Sequence, residues 1–370
     1  MQKYFHNFFI GPASLYIHIP FCSRKCLFCS FVIAVGQEHR REDYANALAA
    51  EMKKYKGKEL ATIYFGGGTP SMMDEKHFKV LMSAIRDNFS FQRNIEITIE
   101  ANPESIDRAK ADFLKVKGFN RISLGVQSLN DRYLKFLGRG HDAAKARDAY
   151  HILREAGFDN INLDLMYGFP GESNEELEED VRAIATLGSE HLSLYTLTIE
   201  PNSRFHAVQM KLDDDGKLAG QYLLIARILD EYGFKQYEIS NFARPGHGSK
   251  HNTNYWLGVP YIGLGVGAHG FDGRRRYWNT SRLQDYIERA GQGLDTVDGF
   301  EDLTDDQLSM EKVLFGLRMN EGIPWGLVPA VKQEQVHEWV KDGFLLLEDD
   351  RLKATDRGRL ILDELSARLI

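Results

Sequence analysis

The strongest constraint on the fold is the regular alternation of two kinds of segment along the first 200 residues. Six runs rich in β-branched and aromatic residues lie near 14–19, 61–65, 95–100, 121–126, 161–165 and 191–198. Amphipathic helical stretches separate them. Strands joined through helices run parallel, because a parallel pair needs a long crossover connection. The order therefore predicts an α/β fold with a parallel sheet, either open or closed into a partial barrel.

Two helix starts carry sequence signals that support this order. Ser71 stands three residues before Asp74, at the head of the helical stretch 74–87. Ser173 likewise precedes Glu176. Each pair fits a capping box, in which two side chains satisfy backbone N–H groups at the start of a helix.

The chain has only three cysteines, and they lie within eight residues of each other. Cys22, Cys26 and Cys29 form the pattern C-x3-C-x2-C, which is not a disulfide framework. They could be small buried residues, or they could hold zinc with His18 or His39 as a fourth ligand. Thiolates are also the ligands of iron–sulfur clusters. We favour a cluster, because three thiolates on a four-iron cube leave one iron open to a small molecule.

Glycine and polar residues follow the predicted strands. Gly66-Gly67-Gly68-Thr69-Pro70 follows the second strand, Glu100 ends the third, Gln127 follows the fourth and Asp164 lies near the end of the fifth. In α/β sheets and barrels the site lies at the carboxyl ends of the strands, so these residues should share a mouth with the cysteine loop. A tight turn at the glycines and an ion pair or cap at the carboxylates are the alternatives. The triplet lacks the Gly-Lys-Ser/Thr of a phosphate-binding loop.

Composition changes between about 240 and 280, where glycine, histidine and aromatic residues dominate. The motif His251-Asn252-Thr253-Asn254-Tyr255-Trp256 lies there, with His247 and His269 nearby. Flat aromatic side chains and an axial histidine would suit a planar macrocycle such as haem. The run 274–276 (Arg-Arg-Arg) could pair with its propionates, although a solvated run of charges is the favoured alternative. A structural role for the histidines also stays open.

Three segments are predicted: a barrel over 1–240, a connecting Gly/aromatic segment over 241–300, and a small C-terminal α+β, winged-helix-like module over 301–370. The chain has 53 acidic and 46 basic residues, a net charge of −7. The stretch 305–370 has 13 acidic and 9 basic residues. These charges argue against nucleic acid as a partner.

No transmembrane helix is predicted, because no apolar run reaches about 18 residues. The residues around Lys3 do not fit a secretory signal. We expect a cytoplasmic protein, with a peripheral association at a membrane left open.

Together these residues resemble the radical S-adenosylmethionine (SAM) superfamily. The cysteine loop with Phe28 before its third cysteine is the most specific mark, and 16–21 (YIHIPF) and the GGGTP run narrow the match. They are similar to the oxygen-independent coproporphyrinogen III oxidase family and its HemW branch, over nearly the whole chain. The resemblance implies a partial (β/α)6, TIM-like barrel. It also implies a [4Fe-4S] cluster on Cys22, Cys26 and Cys29, with SAM on its open iron.

Further site residues are implied by the same resemblance, position by position. Tyr16, Gly67 and Glu100 match positions that hold this SAM. Positions assigned to a second SAM in the oxidase are matched by Phe28, Gly68, Thr69, Gln127, Arg139 and Asp164.

Two departures separate the chain from the oxidase and favour the HemW branch. Phe31 stands where the oxidase has a further cysteine, and only 21 residues precede Cys22. The HNxxYW pattern over 251–256 is the haem-binding signature of that branch, which makes His251, Asn252, Tyr255 and Trp256 candidate haem residues. The resemblance implies a haem chaperone that passes haem to acceptor haem proteins, respiratory ones among them. A radical SAM enzyme acting on a porphyrin and a zinc-stabilised interaction protein are the alternatives.

Overall fold

The computed structural model describes residues 11–369, so the segment around Lys3 lies outside the described residues. The strands are β1 (Ala13–Ile19), β2 (Phe21–Cys22), β3 (Ala34–Val35), β4 (Lys58–Gly67), β5 (Phe89–Ala101), β6 (Arg121–Gln127), β7 (Ile161–Tyr167), β8 (His191–Thr196), β9 (Lys235–Glu238), β10 (Asn241–Ala243), β11 (Tyr261–Leu264), β12 (His269–Phe271), β13 (Arg275–Asn279), β14 (Val297–Asp302), β15 (Ile323–Pro324), β16 (Leu345–Glu348) and β17 (Arg351–Ala354). The helices are α1 (Arg41–Met52), α2 (Glu75–Asn88), α3 (Arg108–Val116), α4 (Asp131–Leu137), α5 (Ala143–Glu155), α6 (Asn174–Thr186), α7 (Arg204–Ala207), α8 (Asp215–Glu231), α9 (Lys250–Trp256), α10 (Leu283–Gly291), α11 (Asp305–Arg318), α12 (Gln333–Lys341), α13 (Asp356–Arg359) and α14 (Leu362–Leu369).

The six predicted strands are present and lie side by side in one sheet, in the order β1-β4-β5-β6-β7-β8. Each neighbouring pair is parallel. The predicted α/β class and the partial (β/α)6 barrel are therefore confirmed.

The sheet is larger than the six predicted strands. A seventh parallel strand, β11, pairs with the free edge of β1, and β12, β13 and β14 extend that edge in antiparallel fashion. The segment 241–300, predicted as a connection, thus contributes five strands to the main sheet. Glycines obscured them: a Cβ at Gly263 would lie 1.8 Å from the carbonyl oxygen of His269, so the strands there approach too closely for side chains.

The strands show a period of two that gives the barrel an apolar outside and a polar inside. On β6, Ile122, Leu124 and Val126 are fully buried in the apolar core. The intervening positions Arg121, Ser123, Gly125 and Gln127 line the interior cavity described below. Burial of one such aliphatic side chain contributes about 1.5–3 kcal/mol, so helix packing on the outside stabilises a barrel whose interior is free to carry polar groups.

The predicted helix starts are confirmed with one correction. Ser173 and Glu176 form a capping box at the start of α6. At α2 the capping residue is Asp74, whose partner is His77, and Ser71 instead lies in a preceding 3-10 turn. Asp74 takes this position because its extended backbone (φ −76°, ψ 161°) is the conformation that the capping residue requires.

The C-terminal residues form a small α+β unit. Its three-stranded antiparallel sheet has the order β15-β17-β16, and helices α11, α12 and α14 complete the unit. The unit has an apolar cluster of its own, which includes Leu317, Ile323, Val336 and Leu352. Among residues 11–369, no helix combines the length and the apolarity needed to span a membrane.

Candidate functional site

A cavity of about 430 Å³ lies inside the barrel at the carboxyl ends of the parallel strands. It brings together eleven of the twelve residues predicted for the cluster and for SAM. They are Cys22, Cys26, Cys29, Phe28, Gly67, Gly68, Thr69, Glu100, Gln127, Arg139 and Asp164. Tyr16 lies outside this cavity: it lines a neighbouring one, and its hydroxyl bonds to Nδ1 of His18 at 3.1 Å.

The three cysteines lie in the segment after β1, with Cys22 at the end of β2 and the other two in the loop that follows it. Two of their sulfur atoms have polar neighbours. The Sγ of Cys22 lies 3.5 Å from Oγ1 of Thr69, and Arg139 donates to the Sγ of Cys26 at 3.4 Å. Burial raises the pKa of the Cys22 thiol to about 11 and also raises that of Cys29. These two thiols are therefore protonated before metal binds, and loading must release protons.

The glycine triplet allows the carboxyl end of β4 to pack directly against the cysteine loop. The N–H of Gly68 donates to the carbonyl oxygen of Ile19 at 2.8 Å, and that of Thr69 donates to Phe21 at 2.9 Å. A Cβ at Gly68 would lie 2.7 Å from the carbonyl carbon of Pro20. A side chain at this position would push the cysteine loop away, so the triplet sets the position of the loop.

Glu100 holds its carboxylate between two strands. Oε1 accepts from the hydroxyl of Tyr64 at 2.8 Å, and Oε2 accepts from the N–H of Gly67 at 3.0 Å. Burial, with the nearby charge of Asp164, raises the pKa of Glu100 to about 7. A cation bound beside it would favour the ionised form, so this group is suited to receive an ammonium or sulfonium.

Asp164 lies in the middle of β7, not at its end, and belongs to a polar network across the barrel. Asn162 donates to Asp164 Oδ1 at 2.7 Å and to Ser123 at 2.8 Å. Burial raises the pKa of Asp164 to about 6, and the charge of Arg121 opposes this shift. The cavity therefore contains two carboxyl groups that titrate close to neutral pH.

Arg139 and Gln127 complete the wall nearest the cysteines. Arg139 also donates to Asn102 Oδ1 and to the carbonyl of Gly125, both at 2.7 Å. Gln127 ends β6 in the left-handed region with φ 71°. That conformation costs a non-glycine residue about 1–2 kcal/mol and is concentrated at functional sites.

The donor set fits an iron–sulfur cluster better than it fits zinc. Within residues 11–369, no three His, Cys, Asp or Glu side chains are arranged to hold a single metal ion. A cluster needs wider spacing, since each cysteine binds a different iron. His18, considered as a fourth zinc ligand, has both ring nitrogens engaged, by Tyr16 and by the carbonyl of Val32. His39 is exposed and does not line the cysteine cavity.

A second, larger cavity of about 1150 Å³ lies between the barrel edge and the C-terminal unit. Its walls come from α9, from β11 and β12, and from α11. Asn252, Tyr255 and Trp256 of the HNxxYW motif line it, with Tyr261, Phe271 and Phe315 adding aromatic surface. This volume exceeds the 300–1,000 Å³ usual for small-molecule sites, so it can admit a large flat ligand.

The HNxxYW motif forms α9 and presents two faces. His251 is only 1% exposed; its Nδ1 lies 2.8 Å from Thr62 Oγ1, and its Nε2 lies 2.8 Å from the hydroxyl of Tyr255. Burial lowers the pKa of His251 to about 3. His251 thus lies behind the cavity wall and positions Tyr255, one helical turn later. Trp256 lies under the guanidinium of Arg318, 4.4 Å from its ring centre.

Two roles were predicted for the arginine run 274–276: contact with haem propionates and a solvated run of charges. Each role fits part of the run. Arg274 pairs with Asp305, and Arg275 pairs with Asp302. Arg276 alone of the three lines the larger cavity, where it pairs with Glu311 at 2.6 Å.

The two cavities are neighbours. Ser30, Phe31, Tyr195 and Asn252 line both of them. Phe31, the residue that departs from the oxidase pattern, is 64% exposed on this shared wall. A ligand in the larger cavity therefore lies next to the cysteine loop.

Several residues of the cysteine cavity were not predicted, because they do not lie at the carboxyl ends of strands. Tyr64, Arg121, Asn162 and Ser193 belong to this group, and all four face the cavity. Polar residues at every second position of otherwise apolar strands were the available signal. Phe315 and the other residues of α11 could be placed on the larger cavity only by the tertiary structure.

Known proteins are similar to this chain over nearly its whole length. Residues 16–184 match the radical SAM superfamily model. The chain is 35% identical to a protein named "Heme chaperone HemW" from Mycobacterium tuberculosis, covering 97% of this chain and 95% of the relative. It is 35% identical to the protein of the same name from Escherichia coli, covering 96% and 97%. Among solved structures, coproporphyrinogen III oxidase (HemN) from Escherichia coli, described as a radical SAM enzyme, matches with a TM-score of 0.83 at 25% identity, over 96% of this chain and 89% of that one.

Proposed function

The chain belongs to the HemW family of the radical SAM superfamily, and from that membership we propose that it binds haem and transfers it to acceptor haem proteins, respiratory proteins among them. The haem lies in the larger cavity. A [4Fe-4S] cluster lies on Cys22, Cys26 and Cys29, and SAM binds in the cysteine cavity beside it.

The observation that carries this proposal is the pairing of two unlike cavities across a shared wall. One contains all three thiols with charged side chains such as Glu100 and Arg139; the other is large and aromatic. Haem is planar, mostly apolar and doubly anionic, so it fits the second cavity in shape and chemistry. A haem chaperone with a retained cluster needs both sites in one chain.

Different residues of the cysteine cavity would support the cluster and bind SAM. Arg139 and Thr69 donate to sulfur and support the thiolate form of the cysteines. Glu100 receives the positively charged end of SAM, and Gly67 and Gly68 hold the end of β4 against His18 and the cysteine loop beside it. When bound, the cluster and SAM supply one-electron chemistry.

An anaerobic haem titration of the cluster-reconstituted protein tests the proposal. The visible spectrum should show a saturable transition near one haem per chain, and gel filtration should show haem leaving with an added apo-haem protein. Absence of saturable binding would contradict the proposal. Bovine serum albumin added at equal concentration controls for passive loss of haem.

A radical SAM enzyme that modifies a porphyrin is the second candidate. It is favoured by the completeness of the cysteine cavity, where Glu100 and Asp164 accompany the three thiols. Incubation of tetrapyrroles with SAM and a reductant separates the two functions. A tetrapyrrole product of altered mass supports the enzyme, whereas unchanged tetrapyrrole with bound haem supports the chaperone.

A further inference from the structure

Four basic side chains and two acidic ones line the larger cavity. The basic residues are Arg276, Lys312, Arg318 and Arg351; the acidic ones are Glu238 and Glu311. The cavity wall thus has an excess of two positive charges, in a chain whose net charge is −7. Two propionates carry two negative charges, so the wall complements haem in charge as well as in shape.

These cations are not all neutralised by side chains. Arg276 pairs with Glu311, and Arg318 lies 3.5 Å from the carboxylate of the buried Glu238. Arg351 instead donates to the backbone carbonyls of Glu321 and Gly322. Lys312 is exposed on α11 and forms no ion pair with any residue that the structure describes. Lys312 and Arg351 therefore mark the side of the cavity where propionates would lie.

The iron needs an axial ligand from the same walls, and most candidates are already engaged. His18 has a hydrogen bond at each ring nitrogen. Tyr255 shares its hydroxyl with His251, at 2.8 Å. His251 does not line the cavity, and both of its nitrogens have partners. To bind iron, His251 would have to break two buried hydrogen bonds and leave the core.

His269 has none of these restrictions. It lies on β12, is exposed and lines the larger cavity. Its ring lies 6.0 Å from that of Trp278 across the strand pair, and no hydrogen bond occupies its ring nitrogens within residues 11–369. A neutral imidazole with a free nitrogen is a common axial ligand of haem iron.

We infer that His269 is the axial ligand of haem in the larger cavity, with Lys312 and Arg351 at the propionates and His251 as a positioning residue for Tyr255. This inference rests on the proposed haem binding and specifies where the iron lies. The HNxxYW motif then forms the wall that packs on the macrocycle. His269 of β12 binds the iron from the opposite edge of the cavity.

The test compares four forms of the full-length, cluster-reconstituted protein: wild type, His269→Ala, His251→Ala and His151→Ala. His151 is an exposed histidine on α5 that lines neither cavity, so it is the matched control. Each form is titrated with haem under anaerobic conditions. Optical and electron paramagnetic resonance spectra then report whether a nitrogen ligand is bound to the iron.

For His269→Ala we expect the nitrogen-ligand signature to be lost and the affinity to fall by about tenfold or more. Added imidazole should restore the signature, because it can occupy the space left by the side chain. His251→Ala should retain the signature in the haem that it binds, even if affinity falls. His151→Ala should match the wild type.

The outcomes separate this inference from the function on which it rests. If the wild type binds haem and His269→Ala keeps the nitrogen ligand, the inference is overturned while haem binding stands. Loss of the signature in His251→Ala with retention in His269→Ala overturns it as well. If the wild type does not bind haem, both the proposed function and the inference fail.

Discussion

The buried carboxyl group of Glu100 makes the stability of the protein depend on pH in a defined direction. Its pKa is about 7 in the folded chain and 4.5 for an unperturbed glutamate. Because the folded-state pKa of Glu100 is above the unfolded value, its contribution to the free energy of unfolding is fully present below pH 4.5 and is lost as pH rises through 7. At about 1.4 kcal/mol per pKa unit, ionising this group costs up to about 3 kcal/mol between pH 4.5 and roughly pH 8.

The variant Glu100→Gln removes this titration, so its stability should rise relative to the wild type by a corresponding amount from about pH 5 to pH 8. The assay is urea unfolding of the protein without cluster, SAM or haem, followed by far-ultraviolet circular dichroism from about pH 5 to pH 8. Asp164, whose pKa is raised to about 6, contributes a drop in the same direction. Glu172, whose pKa burial raises to about 7, and the buried His18 and His251, whose pKa values burial lowers, also shape the profile, so the criterion is the difference between each variant and the wild type. Asp164→Asn should show a difference of the same sign as Glu100→Gln.

Glu59→Gln is the matched control, because Glu59 is an exposed glutamate on the same sheet, in strand β4. Its pH profile should follow the wild type. If the difference in stability between Glu100→Gln and the wild type is the same at pH 5 and pH 8, the argument from burial is wrong. Absolute stability is not the criterion, since glutamine places an amide group near the N–H of Gly67 and costs about 1–3 kcal/mol at every pH.

Three further predictions concern the same cavity. SAM carries a cationic end, so its affinity in calorimetry should rise by up to about tenfold from roughly pH 6 to pH 8 as Glu100 ionises; a flat wild-type profile would contradict this. Gly68→Ala places a Cβ 2.7 Å from the backbone of Pro20 and should therefore lower the iron and sulfide content of the reconstituted protein. Gly220→Ala on α8 is the control and should leave that content unchanged, because no atom lies within 4 Å of the added Cβ. Cys26→Ala should abolish the brown absorbance, and full retention of iron and sulfide would refute its role as a ligand.

The barrel could be predicted from the sequence because its signals are local. The strands β1 and β4 to β8 contain β-branched and aromatic residues at buried positions, and helix caps such as Ser173 mark the boundaries. The glycine triplet, Glu100, Gln127 and Asp164 followed, since parallel strands bring their carboxyl ends to one edge. The resemblance to the family, and no local signal, implied Tyr16, Phe28 and Arg139. Cluster formation and SAM binding at those residues stay predictions.

The larger cavity could not be predicted, because its walls are distant in sequence. Residues of α9, β12 and α11 meet only when β11 pairs with β1, and β11 contains a glycine that weakens a strand signal. The HNxxYW pattern made His251 a candidate haem residue from sequence alone. Its burial between Thr62 and Tyr255 depends on strand β4, which lies far earlier in the chain.

The pairing of β1 with β11 also sets an order of assembly during synthesis. Ser14 pairs with Tyr261, so the first strand keeps an open edge until residue 264 has been made. At about 5–20 residues per second, the roughly 240 residues between the two strands take about 12–50 s. All strands that line the cysteine cavity are complete by Thr196, while the larger cavity awaits α11, which ends at Arg318. A nascent chain can therefore build its thiol site well before it has any place for haem.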